Sequence, residues 1–320
     1  MAASSSGQTH EPIALMFPGQ GSQFAGMASD LARESTAARD LLRRADDILG
    51  YPLTKVMAGD QGDDLDRTVY TQPAVFVHSM ALWEVLRERY AIEASIAAGH
   101  SLGEYSALCA AEVLTFEDAL EVIRVRATGM DEAQPVGTCG MAAVIGLTKE
   151  QILSIVEECR GNEVLEAANF NAPDQVVISG HLGAVKRAVD TAGKARRTRA
   201  VMLPVSSAFH TSLMGPALQG LSTQLERVAT AQARFPVVAN VTAAPYPQSP
   251  AEIKRLLVEQ VRSPVRWEEC VRTMLQSGAA RFFEVGPGKV LTGLMRRIDK
   301  NPETYAVCDM ESIRSLEMAG

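Results

Sequence analysis

The chain has 320 residues, 47% of them hydrophobic and 22% charged, with a formal net charge of −7. That length allows a large core, in one domain or in a large and a small one, and the composition is that of a soluble globular protein. The negative balance argues against a nucleic-acid partner, since phosphate binding is driven by clustered Lys and Arg. No apolar run approaches the roughly 18 residues of a membrane span.

Residues 1–12 are small and polar, lack Arg and Lys, and read as a disordered tail and not as a signal or transit peptide. The first strand is expected at Ile13–Phe17, running into the loop Pro18-Gly19-Gln20-Gly21-Ser22-Gln23. Open α/β sheets place their sites in such loops, at the carboxyl ends of strands. Helical spacing covers 25–34 and 36–49, and a longer helix is expected over 71–90, with Trp83 and Leu86 in the core and His78 structural. An apolar run at 95–98 then meets Gly99-His100-Ser101-Leu102-Gly103, followed by a helix-compatible run over 104–111. G-x-S-x-G between a strand and a helix is the form of a nucleophile elbow, which projects a serine hydroxyl from the top of a sheet.

Thr115-Phe116-Glu117-Asp118 is an N-cap signature for a helix reaching about residue 132, which carries Arg124 and Arg126. Two residues apart is about 200° of rotation, so at most one of these arginines faces a given site. From 141 to 205 the pattern changes to strand 141–146, a capping box at Thr148 and Gln151 with its helix, strands 165–170 and 176–179, helix 182–194 and strand 199–205. That order, β-α-β-β-α-β, is the ferredoxin-like unit. The larger unit resumes with Ser206. It continues with a helix over 213–228, a strand over 235–240, helices over 251–261 and 267–276, strand 281–285, the loop Gly286-Pro287-Gly288 and a helix from Lys289. The expected fold is therefore α/β: an α/β-hydrolase-like domain with a mainly parallel sheet (13–135 and 206–320) carrying an inserted small ferredoxin-like domain (136–205).

A serine hydroxyl needs an adjacent base, most often histidine. Of the five histidines, His10 is in the tail, His100 is the neighbouring elbow residue and His78 lies on a helix; that leaves His181, in a turn of the small domain, and His210, where the chain returns to the large one. His210 is favoured because two domains meet there. The backbone N–H of Leu102 is one donor for a tetrahedral oxyanion, and the loop at Gln20 is placed to supply the second. The five cysteines, Cys109, Cys139, Cys159, Cys270 and Cys308, form no C-x-x-C pair and read as thiols of a reducing compartment, with a cytoplasmic protein as the consequence.

Four stretches, Phe17-Pro18-Gly19-Gln20-Gly21-Ser22-Gln23, Gly99-His100-Ser101-Leu102-Gly103-Glu104, Glu284-Val285-Gly286-Pro287-Gly288-Lys289 and the neighbourhood of His210, together resemble the malonyl-CoA:acyl carrier protein transacylases, including the freestanding acyltransferases of fatty acid and polyketide synthesis. The resemblance runs from about Ile13 to Ile298. It implies a Ser101–His210 dyad and a ping-pong transfer of malonyl from malonyl-CoA to the phosphopantetheine thiol of an acyl carrier protein. It further implies that Arg126 holds the malonyl carboxylate and that the main-chain carbonyl of Gln260 orients the histidine. No metal or cofactor is implied, since the CoA thioester is a substrate, and a monomer is expected. Leu102 and Phe209 match malonyl-type members and bear on acyl selectivity; Phe209 leans towards a polyketide-type context.

Lys186, Arg187, Lys194, Arg196, Arg197 and Arg199, with Arg296 and Arg297, form a basic set expected to attract an acidic carrier protein or CoA phosphates. Two other functions compete: an editing acyl hydrolase using the same dyad, and a non-catalytic module that docks carrier protein. Arg126 argues against the first, and intact Ser101, His210 and Gln20 against the second.

Overall fold

The computed structural model describes residues 11–60, 65–90, 92–205 and 207–317. The expected tail lies outside them apart from Glu11 and Pro12, as does Ser206. The chain opens with β1 (Ile13–Phe17), α1 (Ser29–Glu34), α2 (Thr36–Leu49), α3 (Leu53–Ala58), α4 (Thr68–Arg89), β2 (Ala94–Gly99), α5 (Gly103–Ala110) and α6 (Phe116–Glu132). A second group follows: β3 (Cys139–Ile145), α7 (Lys149–Arg160), β4 (Leu165–Ala172), β5 (Gln175–His181), α8 (Leu182–Gly193) and β6 (Arg199–Met202). The chain closes with α9 (Gly215–Glu226), β7 (Val237–Val238), α10 (Pro250–Gln260), α11 (Trp267–Gln276), β8 (Arg281–Val285), α12 (Val290–Ile298), β9 (Glu303–Val307) and α13 (Met310–Glu317).

The larger sheet has the order β7-β2-β1-β8-β9, and every pairing in it is parallel. Successive side chains of a strand point to opposite faces, and β1 serves two cores in this way. Leu15 and Phe17 pack with the side chains of α4, α5 and α6, whereas Ala14 and Met16 pack with Trp267, Met274 and Met295 of α11 and α12. Burial on both faces is why β1 reads as a continuous apolar run. α4 is buried nearly all round from Thr71 to Trp83, so it carries no amphipathic stripe.

The second sheet is antiparallel with the order β4-β5-β3-β6, the ferredoxin-like topology expected from the pattern. One of its faces packs under α7 and α8 through Val144, Ile152, Ile178 and Val185. Its other face turns towards the larger unit, and several links cross between them. Phe170 N–H donates to Val265 O at 2.9 Å while Val265 N–H donates to Ala168 O at 2.9 Å, a parallel bridge just beyond α10. Arg297 of α12 grips Asp174 of the β4–β5 turn through two bonds of 3.0 and 2.6 Å.

Several boundaries differ from expectation for local reasons. The first helix starts four residues late because Gly26 and Ala28 have φ of 87° and 66°, outside helical space. The strand expected over 235–240 shrinks to two residues; Pro236 has no N–H to donate, and Asn240 turns its side chain to other work. β6 ends before Pro204. α3, β9 and α13 are elements that the sequence reading did not include.

Candidate active site

At the elbow the chain reverses within a space that excludes side chains. A Cβ on Gly99 would lie 1.8 Å from the Gly103 carbonyl carbon, and one on Gly103 would lie 2.0 Å from Phe17 O. Ser101 sits between them at φ 51°, in the left-handed region that costs a non-glycine residue on the order of 1–3 kcal/mol. Asn240 clamps the turn from beneath: its Oδ1 accepts from Ser101 N–H at 2.8 Å and its Nδ2 donates to Gly99 O at 2.7 Å. α5 begins two residues later, so its positive end lies beneath the serine. Among the described residues, the backbone N–H groups of Leu102 and Gln20 have no hydrogen-bond partner, and both residues line the pocket that holds Ser101. The Gln20 side chain is held away from that role by donating to Thr68 Oγ1 at 3.1 Å.

Ser101 Oγ lies 2.7 Å from His210 Nε2, and His210 Nδ1 lies 2.9 Å from Gln260 O. A carbonyl only accepts, so Nδ1 carries the proton and Nε2 presents a lone pair to the hydroxyl. His210, also at positive φ (60°), is anchored by its own N–H to Val261 O at 3.2 Å. Burial pushes the His210 pKa down to about 3, helped by the charge of Arg126 and, less, by His100, so the ring is a neutral base.

Arg126 projects inward from α6 and is 1% exposed, whereas Arg124 is exposed and paired with Glu121 at 2.7 Å. Its two terminal nitrogens are engaged, whereas the buried Nε has no hydrogen-bond partner among the described residues. Nη1 donates to Gln72 Oε1 at 2.6 Å, and Nη2 donates to Gln260 Oε1 at 2.9 Å and to Ser101 Oγ at 3.0 Å. The guanidinium also lies over the Tyr105 ring, 5.5 Å from its centroid. A guanidinium this close to the reacting hydroxyl can hold an anion at the far end of a short acyl group.

The pocket above Ser101 encloses about 90 Å³ and is walled by Leu102, Phe209, Met130, Met141 and Val205. It shares Gln20, His100, Asn169, Leu203 and Val205 with an adjoining cavity of about 240 Å³ between the small sheet and α12. Phe209 is buried and lines the pocket that holds Ser101. His100 turns away from the serine to Asn171, with Nε2 2.8 Å from Oδ1. His181, the other base considered, ends β5 and accepts from Val164 N–H at 2.9 Å through Nδ1, so it takes no part.

Sequence reasoning gave no role to Gln72, Glu104, Asn240 or Tyr246, all of which touch this constellation directly or through one partner. The signal available was a polar residue fully buried among apolar neighbours, which is legible only once burial is known. Two members of the basic set are corrected: Arg187 is tied to Glu163 at 2.6 Å and to Cys159 O at 2.8 Å, and Arg297 to Asp174. Ion pairing removes them as free attractors. Among the described residues no cluster of His, Cys, Asp and Glu is placed to hold a metal, and no helix is long and apolar enough to cross a membrane.

Comparison with known proteins points the same way. An acyl transferase domain model matches residues 15–316. The malonyl CoA-acyl carrier protein transacylase of Haemophilus influenzae is 41% identical over 306 residues, 95% of this chain and 98% of that protein. Its counterpart from Bacillus subtilis is 40% identical over 303 residues, 94% of this chain and 95% of that one. Among solved structures, an acyl carrier protein S-malonyltransferase from Vibrio cholerae superposes with a TM-score of 0.90 at 40% identity, over 95% of this chain and 99% of the other. A malonyl-transacylase in complex with a type II PKS acyl-carrier protein superposes with a TM-score of 0.92 at 40% identity, over 97% of this chain and 100% of the other.

Proposed function

This chain belongs to the acyl transferase family, and from that premise we propose that it moves a malonyl group from malonyl-CoA to the phosphopantetheine thiol of an acyl carrier protein through a malonyl ester on Ser101. The observation that carries the reading is the meeting, on one hydroxyl, of a neutral histidine at 2.7 Å and a buried guanidinium at 3.0 Å. Ser101 Oγ attacks the thioester carbonyl as His210 Nε2 takes its proton, and the Leu102 and Gln20 N–H groups receive the negative oxygen. Collapse breaks the C–S bond, and the proton on His210 leaves with CoA thiol. In the second half the carrier thiol gives its proton to His210, its sulfur attacks the ester carbonyl, and Ser101 recovers the proton as the malonyl thioester departs. Gln260 O keeps the imidazole in the required tautomer throughout. The malonyl carboxylate replaces part of the Arg126 hydrogen bonding and cancels charge that depresses His210, so the substrate strengthens its own base.

Phe209 and Leu102 limit the space beside the acyl carbon, although one methyl is worth only about 1–3 kcal/mol of discrimination. We read residues 13–135 and 206–320 as the catalytic domain and 136–205 as the small one, with the cleft between them taking the CoA or phosphopantetheine arm. The protein works in the cytoplasm as a monomer and needs no cofactor. Intact mass after brief exposure to malonyl-CoA tests the reading. Wild type should gain one malonyl group and Ser101→Ala none. Arg126→Ala should cut malonyl loading at least about tenfold more than acetyl loading, as expected for lost charge-assisted bonds. Rapid release of the group to water without carrier protein would favour hydrolysis, and no adduct would refute both enzymatic readings.

A further inference from the structure

One carboxylate beneath the elbow has no part in the transfer chemistry above. Glu104, in the first turn of α5, is fully buried, an expensive place for an acid unless it is well hydrogen-bonded. Its oxygens are met only by donors: Gln260 Nε2 at 2.6 Å, the Asn240 backbone N–H at 3.3 Å, and the Tyr246 hydroxyl. Each of the first two donors belongs to a residue that holds a reacting group. Asn240 clamps the strained backbone of Ser101, while Gln260 contributes its carbonyl to His210 and its side-chain oxygen to Arg126.

The polarity of the Gln260 amide is decided by these neighbours. Arg126 can only donate, so it needs the amide oxygen; Ser101 O, 2.8 Å away, and ionised Glu104 can only accept, so they need the amide nitrogen. Glu104 is also the carboxylate whose charge bears on the buried Arg126, for among the described residues none pairs with it directly. The geometry points to Glu104 as a positioning residue for malonyl transfer: through Gln260 it sets the direction of the Arg126 fork, and through Asn240 it braces the nucleophile. This deepens the proposed function and rests on it.

The substitution Glu104→Gln keeps the volume but puts an amide N–H where an oxygen now accepts from Gln260 Nε2 or Asn240 N–H. Tyr246→Phe removes one donor and leaves the carboxylate. Loading of malonyl-CoA and of acetyl-CoA on Ser101 is measured for both variants and wild type as second-order rates, with thermal unfolding recorded beside them. In Glu104→Gln the malonyl-to-acetyl ratio should fall about ten- to hundredfold, the size of one lost hydrogen bond to a charged group. In Tyr246→Phe it should fall in the same direction by a smaller factor. A role in stability alone would lower both rates together and leave the ratio unchanged, which overturns the inference; so does an unaltered ratio in Tyr246→Phe if Glu104→Gln does not fold. Wild type that fails to prefer malonyl would instead count against the proposed function itself.

Discussion

A histidine held down to about 3 is neutral at any pH at which a cell works, and that property belongs to the burial of one ring beside one guanidinium. In Glu104→Gln, where the neighbouring acid of pKa about 7 is removed, the rate of acetyl loading on Ser101 should therefore be level from pH 8 to pH 5 and fall only towards about pH 3; half-loss near 6.5, the ordinary histidine value, would contradict the environment described. Stability carries the same sign. The unfolded chain takes up the His210 proton near 6.5 and the folded one only near 3, so this residue removes stability as pH falls through that window. Glu104 acts oppositely, because burial raises it to about 7 and the folded state holds its proton longer than the unfolded chain does. Ser101, His210 and Arg126 were legible because each sits in a stretch with a recognisable order of residues. Gln72, Asn240 and Tyr246 were not, since a lone amide or phenol in a sequence says nothing of what it will face.

At the scale of elements, the elbow is made by contact between backbones. Because a Cβ at Gly103 would meet the carbonyl of Phe17 on β1, Gly103→Ala must push α5 off the sheet that supports it. We expect a loss of about 1–3 kcal/mol or more, the usual cost of overpacking, together with loss of Ser101 loading. Thermal unfolding alongside the loading assay checks this, and a fully active variant of unchanged stability would show the contact to be soft. Periodicity located most strands and helices because burial imposes it. Where it failed, as at the two-residue β7 and the late start of α1, a proline or a left-handed residue had overruled the apolar pattern. β9 escaped notice because an edge strand reading Glu-Thr-Tyr-Ala-Val is only half apolar.

Over the whole molecule, the parallel sense of the larger sheet and the ferredoxin-like topology of the smaller one followed from the alternation of element types, whereas the strand order of the larger sheet and the links between the sheets did not, for the links depend on single residues such as Val265 and Asp174. With Arg187 and Arg297 paired, the basic set that remains exposed comprises Lys186, Lys194, Arg196, Arg197, Arg199 and Arg296. If it steers an acidic carrier protein, Arg196→Glu with Arg197→Glu should slow the carrier-dependent half-reaction severalfold at low salt, and the difference should vanish at high salt. Equal rates at low salt would dismiss the set. The left-handed backbone at both Ser101 and His210 has one more implication, for the chain's history as much as for its chemistry. Both are positions where glycine would relieve strain, so drift towards a more stable fold runs against the nucleophile and its base. Keeping these two side chains is thus a trait that only selection for turnover can maintain, and a copy released from that selection should lose its elbow serine before it loses its fold.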